Sequence, residues 1–113
     1  MKVIKMKWKD KIVIELISLF PVDERFCEIS LSEENLTVHH IIPKRKGGKD
    51  DLDNLMVLTR KIHDIVEKKS NPQIMEIYNH LLEKRKLQRK IRTIEFNIEK
   101  EDNKINKLRK QIK

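Results

Sequence analysis

The chain is 113 residues long, carries 26 Lys and Arg against 18 Asp and Glu, and holds one cysteine. That length gives one small domain with room for an appendage. A lone cysteine excludes an intrachain disulfide framework, and the apolar segment Ile12–Phe20 is too short to span a bilayer and contains Glu15. The excess of eight positive charges points to a polyanionic partner. Residues 1–59 hold ten basic and ten acidic side chains and residues 60–113 hold sixteen and eight, so the whole excess sits in the second half. Lysines interrupt every apolar pair of the opening MKVIKMKWKDK, so no signal peptide is expected. The expected setting is the cytoplasm, with no membrane partner, and the single thiol fits a reducing compartment.

Residues 10–20 read as an amphipathic helix with Ile12, Leu16, Leu19 and Phe20 on one face. Pro21 disfavours a helical Phe20 and ends it. The acidic stretch Val22–Asn35 is expected to be loop with a short turn. Leu36-Thr37-Val38 is β-prone and should deliver His39 and His40 at a strand end. Gly47 and Gly48 are the only glycines in the chain, and their adjacency implies a backbone turn that other residues cannot make. Leu55–Leu58 suits a second strand. Thr59 is placed as the N-cap of a helix running to about Lys69, and Asn71-Pro72 opens the next one in cap-then-N1 order.

From Pro72 onward there is neither glycine nor proline, so one helix about 60 Å long is expected. Leu87, Ile91, Ile94, Ile98, Ile105, Leu108 and Ile112 recur at heptad spacing, with Glu101 as the charged interruption. A homodimer, docking into a larger complex, and a tail that packs early on its own domain and frays all fit this seam. The densest basic run, Lys84, Arg85, Lys86, Arg89, Lys90 and Arg92, lies on the same segment. It reads either as a solvated face or as a phosphate-contacting one. Trp8 reads as core or as a base-stacking ring, and His80 as surface or packing.

Chemistry concentrates in Leu36–Glu67, LTVHHIIPKRKGGKDDLDNLMVLTRKIHDIVE. A paired histidine precedes a Pro and Gly-Gly turn, then comes Asn54, then a helix bearing His63, in the spacing His40-x13-Asn54-x8-His63. Phosphodiester hydrolysis needs an activated water, relief of charge on the phosphorane-like transition state and help for the leaving oxygen. Imidazole titrates near neutrality and serves the first need; a divalent ion held with open positions serves the others.

The spacing, with IIPKRKGG and DDLDNL, resembles the HNH endonuclease family. The resemblance implies an α+β, mostly helical chain: a small ββα-metal module at 26–70, an N-terminal helix in 1–25 packed on it, and a basic C-terminal helix over 71–113. It implies His40 as the general base, His39 and His63 as ligands of one divalent ion (Mg²⁺, Mn²⁺ or Ni²⁺), and Asn54 as the residue that positions loop and base. Glu67 departs from the family, where a further histidine is common. It shares a helix face with His63 and is either a third ligand or an ordinary exposed glutamate. Many relatives also hold a structural zinc between two Cys-x-x-Cys pairs. Here those places read Cys27-Glu28-Ile29-Ser30 and Thr59-Arg60-Lys61-Ile62, so no Cys₄ zinc site is expected, and Cys27 is expected to be a buried thiol.

Lys44, Arg45 and Lys46 next to the glycine turn, and Lys84, Arg85 and Arg89 on the later helix, are the candidate phosphate contacts. The implied function is metal-dependent hydrolysis of DNA, with RNA left open as a substrate. Two alternatives stand beside it: a nucleic-acid-binding module that does not cut, and a nuclease subunit active only in a complex docked through the C-terminal helix.

Overall fold

The computed structural model describes residues 8–112. The N-terminal lysine-rich segment and the Trp8 side chain lie outside the described residues. The elements are α1 (Trp8–Ile17), β1 (Leu36–His40), β2 (Leu55–Thr59), α2 (Arg60–Lys68) and α3 (Pro72–Gln111), with single 3-10 turns at Val22–Glu24, Lys44–Lys46 and Leu52–Asn54. This is the expected α+β, mostly helical class. Two compact units divide at Tyr78: one takes the chain up to that residue and the other the remainder of α3 from Asn79.

In the first unit β1 and β2 pair antiparallel, with Leu36 opposite Thr59, Val38 opposite Val57 and His40 opposite Leu55. Strand alternation sends Val38 and His39 to opposite faces. Val38, Leu55 and Val57 pack against Leu16 and Phe20 from α1 and its last turn, with Val13, Ile17 and Leu36 at the edge of that cluster. Leu55, Met56, Val57 and Leu58 are all fully buried. At roughly 1.5–3 kcal/mol per fully buried apolar side chain, these four residues of β2 make a large contribution to the unit's stability. Cys27 is buried too, in a turn that donates Leu31 N–H to its carbonyl at 2.8 Å and Glu28 N–H to Val57 O at 3.0 Å.

α1 differs from expectation in length and in face. Its regular turns end at Ile17, and the next residues tighten into i to i+3 bonds, Leu19 N to Leu16 O and Phe20 N to Ile17 O. Phe20 cannot continue the helix before Pro21, so the last turn narrows and rotates Leu19 outward. Leu19 and Ile12 are therefore exposed, and the packed face is Val13, Leu16, Ile17 and Phe20. Arg25 closes the end by donating to the carbonyls of Phe20 and Ser18 at 3.0 and 3.2 Å.

The other caps follow the sequence. Thr59 Oγ1 accepts from Ile62 N at 3.2 Å to start α2, and Lys69 ends it in the left-handed conformation. Asn71 Oδ1 accepts from Ile74 N at 3.1 Å to start α3. In the second unit α3 runs without interruption to Gln111, and Leu87, Ile91, Ile94, Ile98, Ile105, Leu108 and Ile112 are all exposed. Among the described residues no helix is long and apolar enough to cross a membrane.

Candidate metal centre

The loop joining the strands is fixed from one residue. Asn54 Oδ1 accepts from Ile42 N at 2.8 Å, while its Nδ2 donates to Ile42 O at 3.1 Å and to Lys49 O at 2.9 Å. Ile41 N also donates to Asn54 O at 2.9 Å, so the loop mouth is closed by side chain and backbone together. The two glycines serve different needs. Gly47 takes φ +88°, which L-residues rarely adopt, while a Cβ on Gly48 would lie 1.7 Å from Ile42 O. Asn54 thus hydrogen-bonds the loop backbone at Ile42 and Lys49, and not the His40 ring.

β1 runs through both histidines, and alternation separates them. His40 is half-buried, with Nε2 2.7 Å from Asp50 Oδ1; Lys44 Nζ lies 3.3 Å from Asp50 Oδ2. The His40 hydrogen bond, with Lys44 as a smaller cause, holds the Asp50 carboxyl below the usual carboxylate range. If Nε2–H donates to that carboxylate, Nδ1 is left as the accepting nitrogen of the ring.

His39 points the other way, is buried, and meets α2 and the start of α3. Its Nε2 is 2.8 Å from Tyr78 Oη, and its ring stands edge-on to His63, centroids 5.1 Å apart. Its Nδ1 lies 3.2 Å from Glu67 Oε1 yet has no hydrogen-bond partner. His63 Nε2 is 3.3 Å from the same Glu67 oxygen, and its Nδ1 is 2.9 Å from Thr37 Oγ1. Thr37 also donates to Leu58 O at 3.0 Å, so its single proton is committed and it accepts from His63 Nδ1–H. The His63 lone pair then sits on Nε2, facing Glu67. Burial first, and then the neighbouring His63, hold the His39 imidazole below the ordinary histidine range, against the pull of Glu67.

Donor atoms of His39, His63 and Glu67 all lie within 4.8 Å of one another. Two ligands each about 2.1 Å from one ion, at a tetrahedral or octahedral angle, stand about 3.0–3.4 Å apart. The two separations to Glu67 fall in that window. A buried nitrogen left without a partner at the same point is costly unless something binds it. Two imidazoles and a carboxylate are therefore a donor set that fits a divalent ion.

A cleft of about 430 Å³ lies over this cluster, lined by His40, Pro43, Lys44, Arg45, His63 and Glu67 among others. Lys44, Arg45 and Lys46 form an exposed 3-10 turn at its rim. The structure thus brings His39, His40, His63, Glu67, Lys44 and Arg45 to one place. Lys84, Arg85 and Arg89 belong to the second unit, where Lys86, Arg89 and Lys90 share one helical surface with Thr93 and Ile94. His80 is exposed on α3. Three residues of the centre escaped the sequence reading: Thr37, Asp50 and Tyr78. Tyr78 is the only tyrosine in the chain, and that was its one signal.

Residues 24–69 match the family model for HNH endonuclease. A curated relative, probable mobile endonuclease C of Enterobacteria phage T4, is 65% identical over 26 residues, covering 23% of this chain. The matched stretch spans 12% of that relative's own length. No solved structure matches the chain significantly. Every residue of the His39–His40–Asn54–His63–Glu67 constellation falls inside the matched segment, so it is over residues 24–69 that the chain is similar to the HNH endonuclease family.

Proposed function

We propose that the chain is a metal-dependent endonuclease that hydrolyses DNA phosphodiester bonds at the cleft over β1 and α2. The observation that carries this reading is the convergence of His39 Nδ1, buried and without a hydrogen bond, and His63 Nε2 on one oxygen of Glu67. His39, His63 and Glu67 would hold one divalent ion, of which Mg²⁺, Mn²⁺ and Ni²⁺ are the candidates. Such an ion supplies charge relief at the scissile phosphate and at the leaving oxygen.

His40 takes the proton of the attacking water. The water oxygen forms the new bond to phosphorus as the 3′-oxygen leaves, giving 5′-phosphate and 3′-hydroxyl ends. Asp50 holds the His40 ring by the 2.7 Å contact and is itself held by Lys44. Asn54 keeps the loop closed beneath them. Lys44, Arg45 and Lys46 contact phosphates beside the scissile bond, and Lys84, Arg85 and Arg89 of the second unit are further candidate phosphate contacts.

Plasmid nicking tests the reading: supercoiled DNA with purified protein and Mg²⁺, Mn²⁺, Ni²⁺ or EDTA, beside His40→Ala. Nicking that needs metal and disappears in the variant is the expected result. A folded wild type that binds DNA and cuts nothing under any of these metals refutes it. A labelled RNA duplex in the same assay reports on the other polyanion.

A second reading has its own observation, the exposed apolar seam of α3. It supports a nuclease that works as a homodimer or as a subunit of a larger assembly, docked through that helix. Light scattering behind size exclusion distinguishes a monomer, which would nick one strand at a time, from a dimer that could cut both.

A further inference from the structure

We infer that Tyr78, at the start of α3, is a positioning residue of the metal centre. It holds His39 by Nε2, so that the ion is taken through His39 Nδ1, while Thr37 holds His63 by Nδ1, so that the ion is taken through His63 Nε2. The inference rests on the metal-site reading above and adds residues that lie outside the ligand set, one of them outside the family-matched segment, which ends at residue 69.

Three observations converge. The Tyr78 hydroxyl is 2.8 Å from His39 Nε2, both residues are buried, and the rings are packed edge to face with centroids 5.5 Å apart. The same imidazole leaves its other nitrogen buried and without a hydrogen bond, 3.2 Å from the Glu67 carboxylate. Thr37 occupies the far nitrogen of His63 and leaves the near one toward the same carboxylate. A neutral imidazole carries one proton and one lone pair. An oxygen that takes the proton on one side fixes the lone pair, and the ring plane, on the other. Two histidines thus present unlike nitrogens to one point, and each is set by a hydroxyl behind it. His39 is reached from a helix that begins three residues after the matched segment ends, at Pro72: the first two turns of α3 belong to the centre.

The test is ion binding, with activity held apart. Mn²⁺ and Ni²⁺ titrations by calorimetry compare wild type, Tyr78→Phe, Thr37→Val and the ligand variant His39→Ala. Loss of an outer-shell hydrogen bond typically weakens metal affinity about 10–100-fold. Tyr78→Phe, which keeps the ring, is expected to weaken binding by about tenfold or more. It also lowers the metal-free melting temperature, because His39 Nε2 is left buried without its hydrogen bond. The titration is therefore run below that melting temperature, on protein shown to be folded by circular dichroism. An unchanged affinity in Tyr78→Phe, where His39→Ala still abolishes binding, overturns the positioning role and leaves the metal site standing. Wild type that binds neither ion, or binds them as well as His39→Ala, overturns the site itself and the inference with it. Should Tyr78→Phe fail to fold, long-range ¹⁵N–¹H spectra of metal-free wild type decide. A proton on His39 Nε2 supports the inference, and a proton on Nδ1 overturns it.

Discussion

Replacing Asn54 separates its role in holding the loop from any role in chemistry. The side chain makes three hydrogen bonds, at 2.8, 3.1 and 2.9 Å, to two residues across the loop. Neutral bonds contribute about 1 kcal/mol each, or about 3 kcal/mol together. The freed Ile42 and Lys49 groups sit where water replaces part of that, so Asn54→Ala should cost about 1.5–2 kcal/mol. For a unit of this size the melting temperature should fall by about 6–15 °C. Asn54→Asp should be worse than Ala, although it is nearly isosteric. One oxygen still accepts from Ile42 N, but the other now faces the carbonyls of Ile42 and Lys49, which need a donor. Thermal unfolding followed at the methyl resonances of Val57 and Leu58, with amide exchange at Ile42, reads both effects. An Asn54→Asp protein as stable as wild type, or an Ile42 amide equally protected in Asn54→Ala, would refute the proposed staple.

Further outcomes follow from the same site. Gly48→Ala should disrupt the loop outright, because its Cβ would meet Ile42 O at 1.7 Å, whereas Gly47→Ala meets only the left-handed strain of about 1–2 kcal/mol; comparing their melting temperatures checks the order. Glu67→Ala should weaken Mn²⁺ binding by more than tenfold and Glu67→Gln by somewhat less; calorimetric titration that finds both equal to wild type removes Glu67 from the ligand set. Asp50 titrates below the ordinary carboxylate range, so its tie to His40 and Lys44 is present above about pH 3.9 and is lost as pH falls through the lowered value. A carboxyl ¹³C titration should show that midpoint rising more in His40→Ala than in Lys44→Met, since the His40 hydrogen bond is the larger cause.

Local features were the legible ones. Thr59 and Asn71 are caps because their side chains compete for the first free N–H groups of a helix, and that preference needs no tertiary context. The glycine pair announced a turn for the same reason. The helical face of α1 was misjudged because heptad-like spacing fits both Leu19 and the pair Val13 and Ile17; the tightening before Pro21 decides between them. Asp50 was hidden among three loop aspartates, Asp50, Asp51 and Asp53, with nothing in the order DDLD to say which one meets His40. Tyr78 was hidden by distance: 39 positions separate it from His39, and only the packing of the first two turns of α3 within the first unit brings them together.

β2 carries a consequence for how the protein survives its own synthesis. Leu-Met-Val-Leu is a short, uncharged, β-prone run of the kind that pairs with copies of itself when exposed. In the folded unit it is withdrawn completely, paired to β1 on one side and touched by the Cys27 turn on the other. Its neighbours in sequence are charged at both ends, Asp50, Asp51 and Asp53 before it and Arg60 and Lys61 after it. Charges so placed act as gatekeepers, opposing stacking of the run while the chain is still unfolded. The acidic loop residues would then act twice, once in the nascent chain and again, through Asp50, beside the finished histidine.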